Sequence, residues 1–471
     1  MNDQKELFEL SLGIFRKLAG IPHGSGNTRE ISDFCVSFAK QNGLEAFRDE
    51  TGNVIITVPA SDGCEQAPPV ALQGHLDMVC VKTPGCKKDL SAEGLDLIET
   101  EDIIRADGTS LGGDDGIAVA FCLAIAQGRN SFTHPKLELV FTVDEETGMD
   151  GAKALDCSRL CSRALINIDS EDERTMLVSC AGGARIDAEK ELEQKESAPC
   201  VCVSLSGFAG GHSGTEINKG RLNAVIALAS ALSGERVRLH SIGGGSADNA
   251  IPSQCESVFE ADEGTLKAIL EKLESASVSA AEPGALVSAS ERGVLPVADE
   301  KESAAVLSAL CTVPNGVVSM SDIIPGLVQT STNLGTIRTE GGTVRTSHAI
   351  RSSVNDEKEA LAAAIGSVYK AHGFVSKRHS DYPAWEYKEQ SRLREVVSAA
   401  SKELFGSPLK EEAIHAGLEC GIFCGKLPNL DCISIGPDIF DIHSTDETLD
   451  KKSAERVFSL LIRSLERLAK I

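Results

Sequence analysis

Histidine and carboxylate residues stand at the ends of apolar runs at five places in this sequence. Gly74-His75-Leu76-Asp77 follows the run from Val70 to Gln73, and Gly113-Asp114-Asp115-Gly116 precedes the apolar stretch Ile117 to Ala126. Asp144-Glu145-Glu146 ends the run Leu137 to Val143. Asp169 ends Ala164 to Ile168, and Asp441-Ile442-His443-Ser444 lies a few residues past the run that starts at Asp431. Singly these are commonplace: a surface His-x-Asp pair, a solvated charge run, an Asp-Asp turn between glycines. As a set they are donors that suit zinc, and two histidines with several carboxylates can build a two-metal centre. In such a centre, ions roughly 3.5–4 Å apart hold the attacking and departing oxygens of a hydrolysis. It needs one carboxylate shared by both ions and a free one to take a proton from water. Glu145 beside Glu146 offers that division, one as ligand and its neighbour as base.

These residues must be positioned by an α/β framework. In the first part of the chain, helical and strand patterns alternate, as expected for a largely parallel sheet with flanking helices. Ligands bind such sheets beyond the carboxyl ends of the strands, so the five places converge on one crevice. Asn27-Thr28-Arg29-Glu30 has capping-box spacing ahead of Ile31, Phe34, Cys35 and Phe38, and Gly43 sits where a helix would end. From about residue 187 to 390 the chain is richer in Ser, Ala, Gly and Glu, enough for a domain of its own. The glycines Gly243 to Gly245 read as a turn there. Beyond 391 the α/β pattern returns, with a helix near Arg392 to Leu404, a strand at Asp431 to Ile435 and an amphipathic helix from Ser453. The expected fold class is α/β: a catalytic domain with a mostly parallel central sheet flanked by helices, from 1–186 and 391–471, interrupted by an inserted α+β lid domain at 187–390.

The chain has 471 residues, 42% hydrophobic and 25% charged, which is ordinary for a globular protein of two or three domains. Its 46 Lys and Arg against 70 Asp and Glu leave a net charge of −24. That acidity argues against nucleic acid or an anionic membrane surface as a partner. No apolar run approaches a membrane span, and MNDQKELFEL has no secretory pattern. Fifteen cysteines, scattered without CxxC pairs, read as reduced thiols in a cytoplasm. Phosphate-loop and dinucleotide glycine motifs are absent, as is the Gly-x-Ser-x-Gly nucleophile elbow. The remaining histidines, His23, His134, His240, His348, His372 and His379, read as ordinary surface or core residues, and His415 has no assignable role.

The motifs, in this order, resemble the di-zinc aminoacylase/carboxypeptidase/dipeptidase family, and within it the bacterial Xaa-His dipeptidase branch. The resemblance is carried by Ile21-Pro22-His23, Gln73 to Met78, Leu111 to Gly116, Asp144 to Gly151, Leu165 to Glu171, Gly210 to Gly214, Asn249 to Pro252, Ile414 to Gly421, and His443-Ser444, over nearly the whole chain. It implies two Zn2+, with Co2+ or Mn2+ as substitutes. His75 and Asp169 would hold one ion, Glu146 and His443 the other, and Asp114 would bridge them. Asp77 would orient His75, Glu145 would be the general base, and His212 in the lid would stabilise the oxyanion. Glu419 is expected at the substrate's amine, and Arg351 and Asn333 at its carboxylate or carbonyl. Asp115, Asn218 and Asp248 depart from the family pattern; relatives elsewhere carry Asp at the first, and the last two, in the lid, bear on substrate preference and not on metal binding. The implied activity is hydrolysis of small unblocked dipeptides, Xaa-His or broader, by a cytoplasmic homodimer joined through the lid. A deacylase or other exopeptidase of the family, and a non-catalytic zinc- or peptide-binding protein, are the alternatives.

Overall fold

The computed structural model describes residues 2–279 and 284–470. The apolar runs become buried strands. Val70–His75, Leu137–Thr142, Ala164–Asn167 and Asp431–Ser434 are parallel neighbours at the centre of an eight-stranded sheet. Strands covered on both faces need no polar alternation, which is why they read as continuous apolar runs. Antiparallel strands flank them, Glu45–Arg48 and Val54–Val58 on one side and Thr175–Cys180 on the other. Register brings the carboxyl ends level: His75 lies opposite Thr142, Gln73 opposite Asn167, and Ser434 opposite Asn167. The residues that follow each strand therefore emerge along one edge of the sheet.

Helices pack on this sheet. Gly113–Gln127 is buried along nearly its whole length, and Asn2–Ala19 and Lys451–Leu468 lie against the same core. Phe458 closes on Phe121 and Phe8, with ring centroids 5.1 and 6.1 Å apart. Gly43 at φ +66° follows the helix Arg29–Gln41 as expected. The capping box does not form. Thr28 is the N-cap without a side-chain bond, and Asn27 donates instead to the Ser91 carbonyl.

The chain divides into two compact units, one of residues 1–179, 387–413 and 418–471, the other of 180–386 and 414–417. The second unit is built on a nine-stranded sheet whose described pairings are antiparallel. Its core joins these strands to the helices Ala224–Leu232, Glu263–Ser279, Glu300–Thr312 and Asn355–Ala371. Asn223 caps the first of these through the Val225 and Ile226 amides. Gly243 and Gly244, read as a turn, end the strand Arg238–Gly244, where Gly244 lies flat against Cys255. Among the described residues, no helix is long and apolar enough to cross a membrane.

Candidate metal centre

The first unit brings five of the expected residues together. His75 Nε2 lies 3.1 Å from Asp114 Oδ1 and 3.6 Å from Asp169 Oδ1. His443 Nε2 lies 3.2 Å from Asp114 Oδ2 and 2.9 Å from Glu146 Oε1. Asp114 thus turns one oxygen to each histidine. The donor atoms of His75, Asp114 and Asp169, and those of Asp114, Glu146 and His443, form two groups, each within 4.8 Å. Those are the donors that a pair of divalent ions sharing one carboxylate requires.

Electrostatics make the same demand. Burial alone would lower the proton affinity of His75, yet Asp114, Asp169 and Asp77 raise it well above the usual imidazole value. Asp114 and Glu146 hold His443 up at about 10, and burial lifts Asp169 to about 6. Carboxylates packed this closely away from water need positive charge among them. Glu145 is also pushed well above the carboxylate range, by burial first and then by Asp169, Glu419 and Glu146. Its carboxylate makes no hydrogen bond among the described residues.

Asp77 ties the centre together. The His75 Nδ1–H donates to its backbone carbonyl at 3.0 Å, which leaves Nε2 free to ligate. The Asp77 carboxylate accepts from the Glu145 and Glu146 amides, at 3.0 and 3.3 Å, and from Ser25 Oγ at 2.8 Å. Asp77 therefore holds His75 through its backbone carbonyl and Glu145 and Glu146 through its carboxylate. Asp115 accepts from the His75 amide, and burial, with Asp169 nearby, raises its pKa well above the usual carboxylate range. Asp441 and His443 have φ of +53° and +59°, a left-handed backbone that non-glycine residues seldom adopt outside functional turns.

Glu419, expected at the substrate's amine, is fully buried. Its Oε2 accepts from Gln73 Nε2 at 2.5 Å and Thr142 Oγ1 at 2.7 Å, and Gln73 Oε1 accepts from Asn167 Nδ2. It fastens the strands Val70–His75 and Leu137–Thr142 directly and Ala164–Asn167 through Gln73, and Oε1 is left without a partner. Glu447 was missed by sequence reasoning. Its buried carboxylate accepts from the amides of Leu111, Gly112, Gly113 and Asp114, at 2.8 to 3.4 Å, and so clamps the loop that carries Asp114. The only signal was an acidic residue four positions after His443.

His212, Arg351 and Asn333 belong to the second unit. His212 Nδ1 accepts from the Gly214 and Thr215 amides, which places the ring proton on Nε2. Burial and Arg351 keep its pKa below the ordinary value, so the ring is neutral. The Asn333 amide donates to the Asp248 and Ala250 carbonyls, and Ala250 pairs with His212. Of the other histidines, His379 meets Asp187 at 3.0 Å, and His348 is buried against Tyr369.

Comparison with known proteins places the chain among peptidases. The model of peptidase family M20/M25/M40 matches residues 71–468. The cytosol non-specific dipeptidase of Escherichia coli is 33% identical over 470 residues, 97% of this chain and 96% of that protein. Among solved structures, the aminoacylhistidine dipeptidase of Vibrio alginolyticus superposes with a TM-score of 0.90 at 30% identity, covering 97% of this chain and 96% of its own. The aminopeptidase PepT of Bacillus cereus shares the fold at a TM-score of 0.64 and 18% identity, over 98% of this chain and 99% of that one. A paired set of metal donors at one sheet edge, on a chain matched nearly end to end, places it in a family: the protein belongs to peptidase family M20/M25/M40.

Proposed function

We propose that this protein is a metal-dependent dipeptidase that hydrolyses the amide bond of small unblocked dipeptides, Xaa-His among them, with two zinc ions. The observation that carries this reading is Asp114, with one carboxylate oxygen turned to each of two His-and-carboxylate groups. His75 and Asp169 would hold one ion and Glu146 and His443 the other, with Asp114 shared. When bound, such a pair supplies Lewis acidity and lowers the pKa of a water to about 7. Glu145 removes the proton from the attacking water and delivers it to the nitrogen of the departing amine. Asp77 holds His75, Glu145 and Glu146 in register for this.

A neutral His212 with its proton on Nε2 is suited to donate to the developing oxyanion, from the same chain or a second copy. Arg351 supplies the contact for the substrate's carboxylate, whereas Asn333 acts within the second unit, because both hydrogens of its amide nitrogen go to the Asp248 and Ala250 carbonyls. Glu419 acts as a brace of the strands rather than as a contact to the amine, because its carboxylate is buried and bonded to Gln73 and Thr142. The exposed apolar side chains Val317, Val318, Met320 and Ile323 support pairing of two copies through the second unit. The cysteines form no disulfide among the described residues, which fits a reducing cytoplasm.

The test is hydrolysis of a panel of free dipeptides, including Xaa-His, by protein stripped with a chelator and then reloaded with zinc. Turnover should vanish on stripping and return with zinc. Hydrolysis of N-acylated amino acids but not of free dipeptides would replace the reading with a deacylase. Zinc bound in full with no turnover on either class would leave a binding protein.

A further inference from the structure

His415 lies inside one of the sequence motifs without an assigned role. The four residues 414–417 fold with the second unit although the chain on both sides belongs to the first. The Ala181 amide holds them through the Ile414 and Ala416 carbonyls. His415 Nε2 lies 2.7 Å from Ser331 Oγ. Ser331 is the direct cross-strand partner of Arg351, so His415 is docked on the sheet face that carries the guanidinium. Asn333, two residues along the same strand, shares that face.

Three polar groups in this neighbourhood are buried with nothing to bond: Arg351 Nε, His415 Nδ1 and Asn333 Oδ1. Arg351 is only 7% exposed, and among the described residues it meets no carboxylate. A buried cation without a counter-charge is costly unless a ligand supplies one. Gly214 keeps the space open. A Cβ there would stand 2.9 Å from both His212 Cε1 and the His415 carbonyl and 3.2 Å from Arg351 Nε.

We propose that His415 is a specificity-determining residue, an uncharged donor that works beside Arg351 to bind the carboxylate of the substrate. In this assignment Ser331 donates its hydroxyl proton to Nε2 and the ring proton sits on Nδ1, the nitrogen without a partner. Two converging donors, one charged and one neutral, match a monoanionic carboxylate and reject its amide, whose nitrogen brings hydrogens instead of lone pairs. The ring stays neutral because burial, with Arg351 and His212 nearby, pushes its pKa down to about 4. This assignment rests on the dipeptidase reading given above.

Two substitutions separate contact from support. His415→Gln can keep the bond to Ser331 while losing the donor at the Nδ1 position, and His415→Asn does the reverse. Kinetics of the zinc-loaded protein would be measured on alanyl-alanine and alanyl-alaninamide. His415→Gln should raise KM for the free acid about tenfold, with kcat changed less than about twofold and the amide hardly affected. His415→Asn should recover most of that KM. An unchanged KM in His415→Gln, or equal losses on acid and amide, would overturn the proposal while the dipeptidase reading stood. Wild-type protein inactive on the acid would overturn both.

Discussion

Single side chains in the metal centre do separable jobs. The Glu145 carboxylate makes no hydrogen bond among the described residues, whereas that of Glu146 lies 2.9 Å from His443 Nε2. Glu145→Gln should therefore retain a full complement of metal, read by atomic emission, while kcat falls by about 10²–10⁴. Near-full activity would move the base elsewhere. Glu447 predicts the opposite split. It touches no expected ligand side chain, yet it satisfies four amides of the loop before and at Asp114. Glu447→Ala leaves those amides buried without acceptors, at about 1–3 kcal/mol. It should weaken zinc binding about 10–100-fold, as loss of outer support for a ligand does, in a competition titration with a chelator. The sequence pointed to the expected ligands because they stand beside or shortly after apolar runs. Glu447 ends none, and only the folded loop reveals what it grips.

At the scale of elements, close packing sets the position of His75. Gly74 precedes it in the strand Val70–His75, where a Cβ would stand 2.5 Å from Asp115 Oδ2 and 2.9 Å from the Ala118 Cβ of the helix behind. Gly74→Ala must push strand from helix. A loss of about 1–3 kcal/mol in urea unfolding is expected, with activity lost by more than that stability change explains. The buried parallel strands were legible because two-sided burial leaves an unbroken apolar run. Antiparallel strands of the second unit were harder to read. Leu286–Ala298 is exposed over most of its length and carries Ser, Glu, Arg and Gly, so nothing in its pattern separates it from a loop. Asn27 misled for a related reason: capping spacing fits several partners, and the Ser91 carbonyl won.

For the molecule as a whole, acid should act through buried neutral histidines. Burial depresses His348 to about 3 and His415 to about 4, against about 6.5 when unfolded. Between those values the unfolded chain binds more protons, so stability is fully present above pH 6.5 and falls as pH drops toward 4. Each histidine contributes a slope of about 1.4 kcal/mol per pH unit. His348→Gln removes one titration while still offering a donor to Tyr369, so the fall of its urea midpoint below pH 6.5 should be shallower than wild type. An unchanged slope would assign the acid sensitivity to carboxylates. The sheet order of the first unit has a consequence for the protein as it is made. Asp431–Ser434 lies between Ala164–Asn167 and Thr175–Cys180, strands that leave the ribosome some 250 residues earlier. Until it arrives, each of those strands offers an open edge to any other strand, its own chain's or a neighbour's. A nascent or truncated chain lacking its last forty residues is thus a template for mispairing, and a chaperone that shields the gap during synthesis should raise the yield of folded protein.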